Sequence, residues 1–151
     1  MKLMVINGPN INMLGIREPS IYGSTGYELL CEEIKKLEYE YEDLSISFFQ
    51  SNSEGELVTC IQNAYFEGYD GIVINPAAYT HTSVAILDAL KSVALPAVEV
   101  HISHISGREE FRHKSYTSLG CIAQITGFGI YGYTLAVDGL YEHIKGLEEY
   151  K

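Results

Sequence analysis

The chain has 151 residues, is 46% apolar and carries a net charge of −10. One domain of this size can bury a full core without disulfides or metals, the acidic balance argues against a general nucleic-acid binder, and no apolar run approaches the roughly 20 residues that span a bilayer. The apolar start turns polar at Asn7, too early for a signal peptide, so the expectation is a cytoplasmic protein with neither membrane nor nucleic acid as a partner. Cys31, Cys60 and Cys121 are odd in number and widely spaced, unlike a disulfide framework or a zinc site.

Taken in chain order, a first strand over Leu3–Ile6 runs into a long polar loop, NGPNINMLGIREPSIYG, from Asn7 to Gly23. A βα connection usually takes ~2–6 residues, and loops as long as this one are often active-site lids. A helix is predicted over Thr25–Tyr41, a strand over Leu44–Phe49, and a helix over Ser53–Glu67, where Ser53 and Glu56 have capping-box spacing. Then come a strand over Gly71–Ile74, a helix over Thr82–Ser92, strands over Ala97–His101 and Cys121–Ile125, and a helix over Ile130–Lys145. The strands are short, rich in Val, Ile and Phe and mostly not alternating, as expected when both faces are covered. Five βα units in one domain predict an α/β three-layer sandwich with a five-stranded parallel sheet in the flavodoxin-like order 2-1-3-4-5. Ligands of such folds sit beyond the carboxyl ends of the strands, which directs attention to the loops after Ile6, Phe49, Ile74, His101 and Ile125.

Those loops hold most of the unusual polar residues. The first contains Asn10, Asn12, Arg17, Glu18 and Tyr22. A guanidinium near Tyr22 would favour its phenolate and make it a usable base, although Tyr22 packed on the surface beside a solvated Arg17 is the plainer reading. After the third strand, NPAAYTHTS offers Asn75 and His81, with Thr80, Thr82 or Ser83 available as a helix cap. His81 and Asp88, seven residues apart, would share a helix face, and Asp88 sits among apolar neighbours in VAILDAL, either solvated or in contact with a partner subunit or neighbouring site. The fourth strand ends EVHIS, where Glu99, His101 and Ser103 point one way. A carboxylate that orients a histidine at this edge suits a general acid. Arg108 and Arg112, four apart, would project together from a helical turn and hold a carboxylate, or pair locally with Glu109 or Glu110. The chain has only three arginines, Arg17, Arg108 and Arg112, and all three fall in these loops. No phosphate-binding glycine loop, dinucleotide fingerprint or H-E-x-x-H occurs.

NGPNINMLGIREPSIYG, FFQSNSEGELV, INPAAYTHTSVAILDAL, PAVEVHIS, REEFRHKSYTS and GCIAQITGFGIYGYTLA follow one another in order and at family-like spacing. In these segments the chain resembles the type II 3-dehydroquinate dehydratases along nearly its whole length. The resemblance implies a single dehydroquinase domain over 1–151, with a lid around 15–24. It implies a hydro-lyase of the shikimate pathway, with quinate breakdown left open, that removes water from 3-dehydroquinate in an anti elimination through an enolate without a cofactor or metal. Tyr22 would take the proton from carbon 2, Arg17 would favour its phenolate, and Asn10 would hold a water at the enolate oxygen. His101, oriented by Glu99, would protonate the departing hydroxyl. Asn75, His81 and Arg112 would bind substrate hydroxyls, Ile102 and Ser103 the carboxylate, and Arg108 would lie beside the lid. Asp88 would reach a neighbour's site in a homo-dodecamer built as a tetramer of trimers. His104, Ser106 and Ala77 depart from the family pattern and bear on affinity and the lid. An inactive or scaffold relative, or a flavodoxin-like binder of a small ligand, are the other readings the fold allows.

Overall fold

The computed structural model of the chain describes residues 1–16 and 26–149. Within it, strands β1 (Lys2–Asn7), β2 (Ser45–Gln50), β3 (Gly71–Asn75), β4 (Ala97–His101) and β5 (Ala123–Thr126) form one parallel sheet in the order β2-β1-β3-β4-β5. The expected order 2-1-3-4-5 is therefore the observed one. The helices are α1 (Tyr27–Lys35), α2 (Leu37–Glu40), α3 (Glu54–Phe66), α4 (Val84–Val93) and α5 (Tyr131–Glu149).

Alternation along β1 divides the core in two. Leu3 and Val5 join Leu30 and Ile34 of α1 and Tyr133, Ala136, Val137 and Leu140 of α5 on one face. Met4 and Ile6 join Leu57 and Ile61 of α3 and Ile86 and Leu90 of α4 on the other. Both faces of the inner strands are thus covered, which is why every residue of β3 and β4 is buried, the polar Asn75, Glu99 and His101 included. No helix among the described residues is long and apolar enough to cross a membrane.

Local chemistry sets the boundaries. Ser53 caps α3 by accepting from the Glu56 N–H. The return half of the box is relayed: the Ser53 N–H donates to Ser51 Oγ at 2.9 Å, and that hydroxyl donates to the Glu56 carboxylate. Ser83 caps α4 through the Ile86 N–H at 2.9 Å, so the helix starts two residues later than predicted. The helix expected over Thr25–Tyr41 is broken after Lys35, where Tyr39 N–H bonds back to Lys36 C=O at 3.0 Å in a tighter turn. The apolar stripe through Leu30, Ile34 and Leu37 crosses the break, which makes the two pieces look like one helix in sequence. The strand expected from Cys121 begins at Ala123, because Cys121 N–H closes a turn onto Ser118 C=O.

Candidate active site

A cavity of about 260 Å³ opens at the carboxyl ends of β1, β3 and β4. This is where the strand order reverses direction, the crevice in which doubly wound sheets bind ligands. Asn10, Asn75, His81, His101, Ile102, Ser103, Arg108 and Arg112 all line it. The structure therefore gathers eight of the twelve residues singled out in the sequence around one space. Glu99 stands one layer behind. Asp88 is exposed on α4 and does not line this chain's cavity. Arg17 and Tyr22, with most of the expected lid, lie outside the described residues.

The loop after β1 is seated by close backbone approach. Gly8 N–H donates to Asn75 C=O at 2.8 Å, and a Cβ on Gly8 would stand 2.5 Å from the Pro76 carbonyl oxygen. Only glycine fits that crossing. Asn10 follows in the left-handed region at φ 68°, a conformation asparagine tolerates better than most residues. Its N–H donates to Asn52 Oδ1 at 2.9 Å, so the loop after β2 supports the cavity from behind without lining it.

Beyond β3, Ala77 also takes a left-handed φ of 52°. That is the physical counterpart of its departure from the glycine expected there. His81 sits at the end of a 3-10 turn, Ala77–His81, and not on α4. It consequently does not share a helix face with Asp88, contrary to the spacing argument. Its Nδ1 lies 2.8 Å from the Lys114 carbonyl oxygen. A carbonyl only accepts, so that nitrogen carries the proton and Nε2 is left for the cavity.

Glu99 and His101 sit at the end of β4, 0% and 4% exposed. His101 Nε2 is 2.8 Å from Glu99 Oε1. The carboxylate also accepts from Gln124 Nε2 at 2.6 Å, from Ser115 Oγ at 2.9 Å and from the Thr117 hydroxyl. Burial alone would raise the Glu99 pKa, but the donors of His101, Thr117 and Gln124 outweigh it and hold the carboxyl below its ordinary value. A charged, immobile acceptor fixes Nε2–H of the imidazole, leaving Nδ1 toward the cavity. Ser115, Thr117 and Gln124 carried no signal in the sequence, since they lie 16 to 25 residues beyond Glu99. Only the register that sets Glu99 opposite Gln124 brings β5 to it.

Arg108 closes one 3-10 turn and Arg112 ends the next, so the two do not project from one helical turn, while the local pairing is present. Both residues line the cavity, and each also faces Glu109, Arg112 Nε at 2.9 Å and Arg108 Nε at 3.6 Å from Oε2. Among the described residues no cluster of three or more His, Cys, Asp or Glu is arranged to hold a metal ion.

The family model for dehydroquinase class II matches residues 1–141. A 3-dehydroquinate dehydratase of Clostridium perfringens strain 13 is 59% identical over 145 residues, covering 96% of this chain and 99% of the relative. One from Fusobacterium nucleatum is 58% identical, covering 95% and 98%. The crystal structure of a type II dehydroquinase from Butyrivibrio crossotus superposes with a TM-score of 0.90 at 52% identity, covering 93% of this chain and 97% of that one. With residues 1–141 matched by the family model and nearly its full length by these relatives, the chain belongs to the class II dehydroquinase family.

Proposed function

We propose that this protein is a type II 3-dehydroquinate dehydratase, a hydro-lyase that converts 3-dehydroquinate to 3-dehydroshikimate on the shikimate pathway. The observation that carries the reading is the buried Glu99–His101 pair, whose histidine lines a cavity together with two asparagines, one serine and two arginines.

The proposed reaction is an anti elimination in two steps. Tyr22, its phenolate favoured by Arg17, removes the proton next to the ketone. The enolate is held by a water at Asn10. His101, protonated on both ring nitrogens beside the Glu99 carboxylate, then donates its Nδ1 proton to the departing hydroxyl, which leaves as water, and the proton that Tyr22 took passes to His101 through solvent to reset both groups. Positioned acid and base groups contribute about 10²–10⁴-fold each, and each preorganised donor at the developing charge about 3–4 kcal/mol. Both transfers lie within the chemistry of side chains, so the proposal calls on no cofactor. Asn75, His81 and Arg112 would take the substrate hydroxyls, and Ile102 with Ser103 the carboxylate.

Residues 17–25 continue directly from the stretch Asn10–Leu14 that borders the cavity, which supports their assignment as a lid over residues 15–24 of a single domain spanning 1–151, with Arg108 beside it. The exposed Asp88, away from this chain's cavity, supports a role at a neighbouring subunit's site in a homo-dodecamer. The cytoplasm is the proposed location.

The deciding experiment follows the conjugated enone by ultraviolet absorbance when purified protein meets 3-dehydroquinate in the presence of a chelator. Turnover is expected. A folded sample without turnover would overturn the assignment and leave the inactive-relative reading.

A further inference from the structure

Tyr133 heads the fully buried side chains of the described residues by volume, yet its hydroxyl is not idle in the core. It donates to Asn7 Oδ1 at 2.6 Å and accepts from Asn75 Nδ2 at 2.8 Å. Asn7 and Asn75 are the last residues of β1 and β3, so one phenol on α5 ties together the two strand ends that flank the cavity. Burial pushes the Tyr133 phenol up, and the group stays a neutral hydroxyl with one hydrogen to give.

That single hydrogen makes the network directional. Read in isolation, the chain Asn7–Tyr133–Asn75 could run either way, because an amide offers an oxygen on one side and two N–H groups on the other. The backbone breaks the tie. Ala77 N–H needs an acceptor and finds Asn75 Oδ1 at 3.1 Å. The Asn75 nitrogen must then face Tyr133, the Tyr133 hydrogen must go to Asn7, and one N–H of Asn75 is left over. Asn75 is 3% exposed and lines the cavity.

We propose that Tyr133 is a positioning residue for the dehydration: it locks the Asn75 amide so that the remaining N–H is presented as a donor to a substrate oxygen in the cavity. The inference rests on the dehydratase reading of the site.

Tyr133→Phe in the full-length protein keeps the ring and removes the hydroxyl, leaving the Asn75 amide held by the Ala77 N–H alone. Steady-state kinetics should show KM for 3-dehydroquinate raised about three- to tenfold, the worth of one oriented hydrogen bond, with kcat changed much less, as expected for lost binding common to ground and transition states. In an Asn75→Ala background the same substitution should add no further rise. A merely structural Tyr133 would lower the melting temperature and leave KM alone, or raise KM additively in the two backgrounds, and either result overturns the proposal. Asn75→Asp leaves the Tyr133 side chain in place but removes both Asn75 N–H groups, the one Tyr133 accepts and the one presented, and it is the variant to use if Tyr133→Phe does not fold. It keeps the size and offers only oxygens, so KM should rise at least as much, and an unchanged KM overturns the proposal. Absence of turnover in the unaltered protein would instead defeat the dehydratase reading.

Discussion

Glu99 Oε1 accepts from His101 Nε2 at 2.8 Å, with the carboxylate wholly buried. The ring of His101 is thereby fixed by a charge that cannot drift, and in the proposed reaction its second nitrogen serves the leaving group. Replacing Glu99 with Gln puts an amide among the donors of Ser115 and Thr117 and removes the charge. We expect kcat to fall about 10²-fold, toward the lower range for loss of the acid itself, and stability to drop by about 1–3 kcal/mol from unpaired buried donors. Kinetics and thermal melts on Glu99→Gln check both numbers, and near-normal turnover would detach Glu99 from the reaction.

The base is to be tested separately from the acid. Tyr22→Phe keeps the ring and deletes only a hydroxyl. The expected result is a loss of about 10²–10⁴-fold in kcat with an unchanged melting temperature. A Tyr22→Phe protein that retains turnover would move the base elsewhere.

Acid stability should carry the signature of a second, surface site. Asp43 is lowered to about 2, first by its hydrogen bond from Lys145 and then by that from Tyr141, at 2.6 and 2.7 Å. An unfolded aspartate titrates near about 3.9. Because the folded value is the lower one, this contribution is complete above about pH 4 and disappears as pH falls toward 2. The melting temperatures of wild type and Asp43→Asn should therefore differ at pH 6 and converge near pH 2, the more so at low salt. A gap that stays constant across that range would contradict the pairing.

Gly8 offers a test of how the cavity is held together. Its missing side chain lets the β1 loop pass against the Pro76 carbonyl, 2.5 Å from where a Cβ would lie. Gly8→Ala must push the loop carrying Asn10 away from the loop carrying Asn75 and His81. We expect a loss of about 1–3 kcal/mol from the forced overlap and a raised KM together, measured by denaturant unfolding and steady-state kinetics. Loss of stability with an intact KM would mean that the two loops move as one body.

Much of this was legible in the sequence for identifiable reasons. A run such as the GIVI of β3, apolar without alternation, is what a strand covered on both faces looks like, and that pointed to the layers. Glu99 and His101 declared themselves because strand periodicity places them on one side. What escaped notice depends on contacts across the fold. Ser115, Thr117 and Gln124 meet Glu99 through the docking of later segments, and Tyr133 sits in an apolar run of α5 where its ring reads as core. The His81–Asp88 argument failed because a helical period was carried across Thr82, where the chain is not helical.

Gln124 belongs to the last strand of the sheet, and its amide is one of the groups that pin Glu99. In the proposed reaction the carboxylate behind the proton donor is therefore completed by the part of the sheet that is synthesised last. A partly folded chain with the first four strands in place would already possess the cavity walls but would hold a histidine whose carboxylate partner still lacked its clasp. On the proposed mechanism, turnover in a refolding sample would report the arrival of that edge strand.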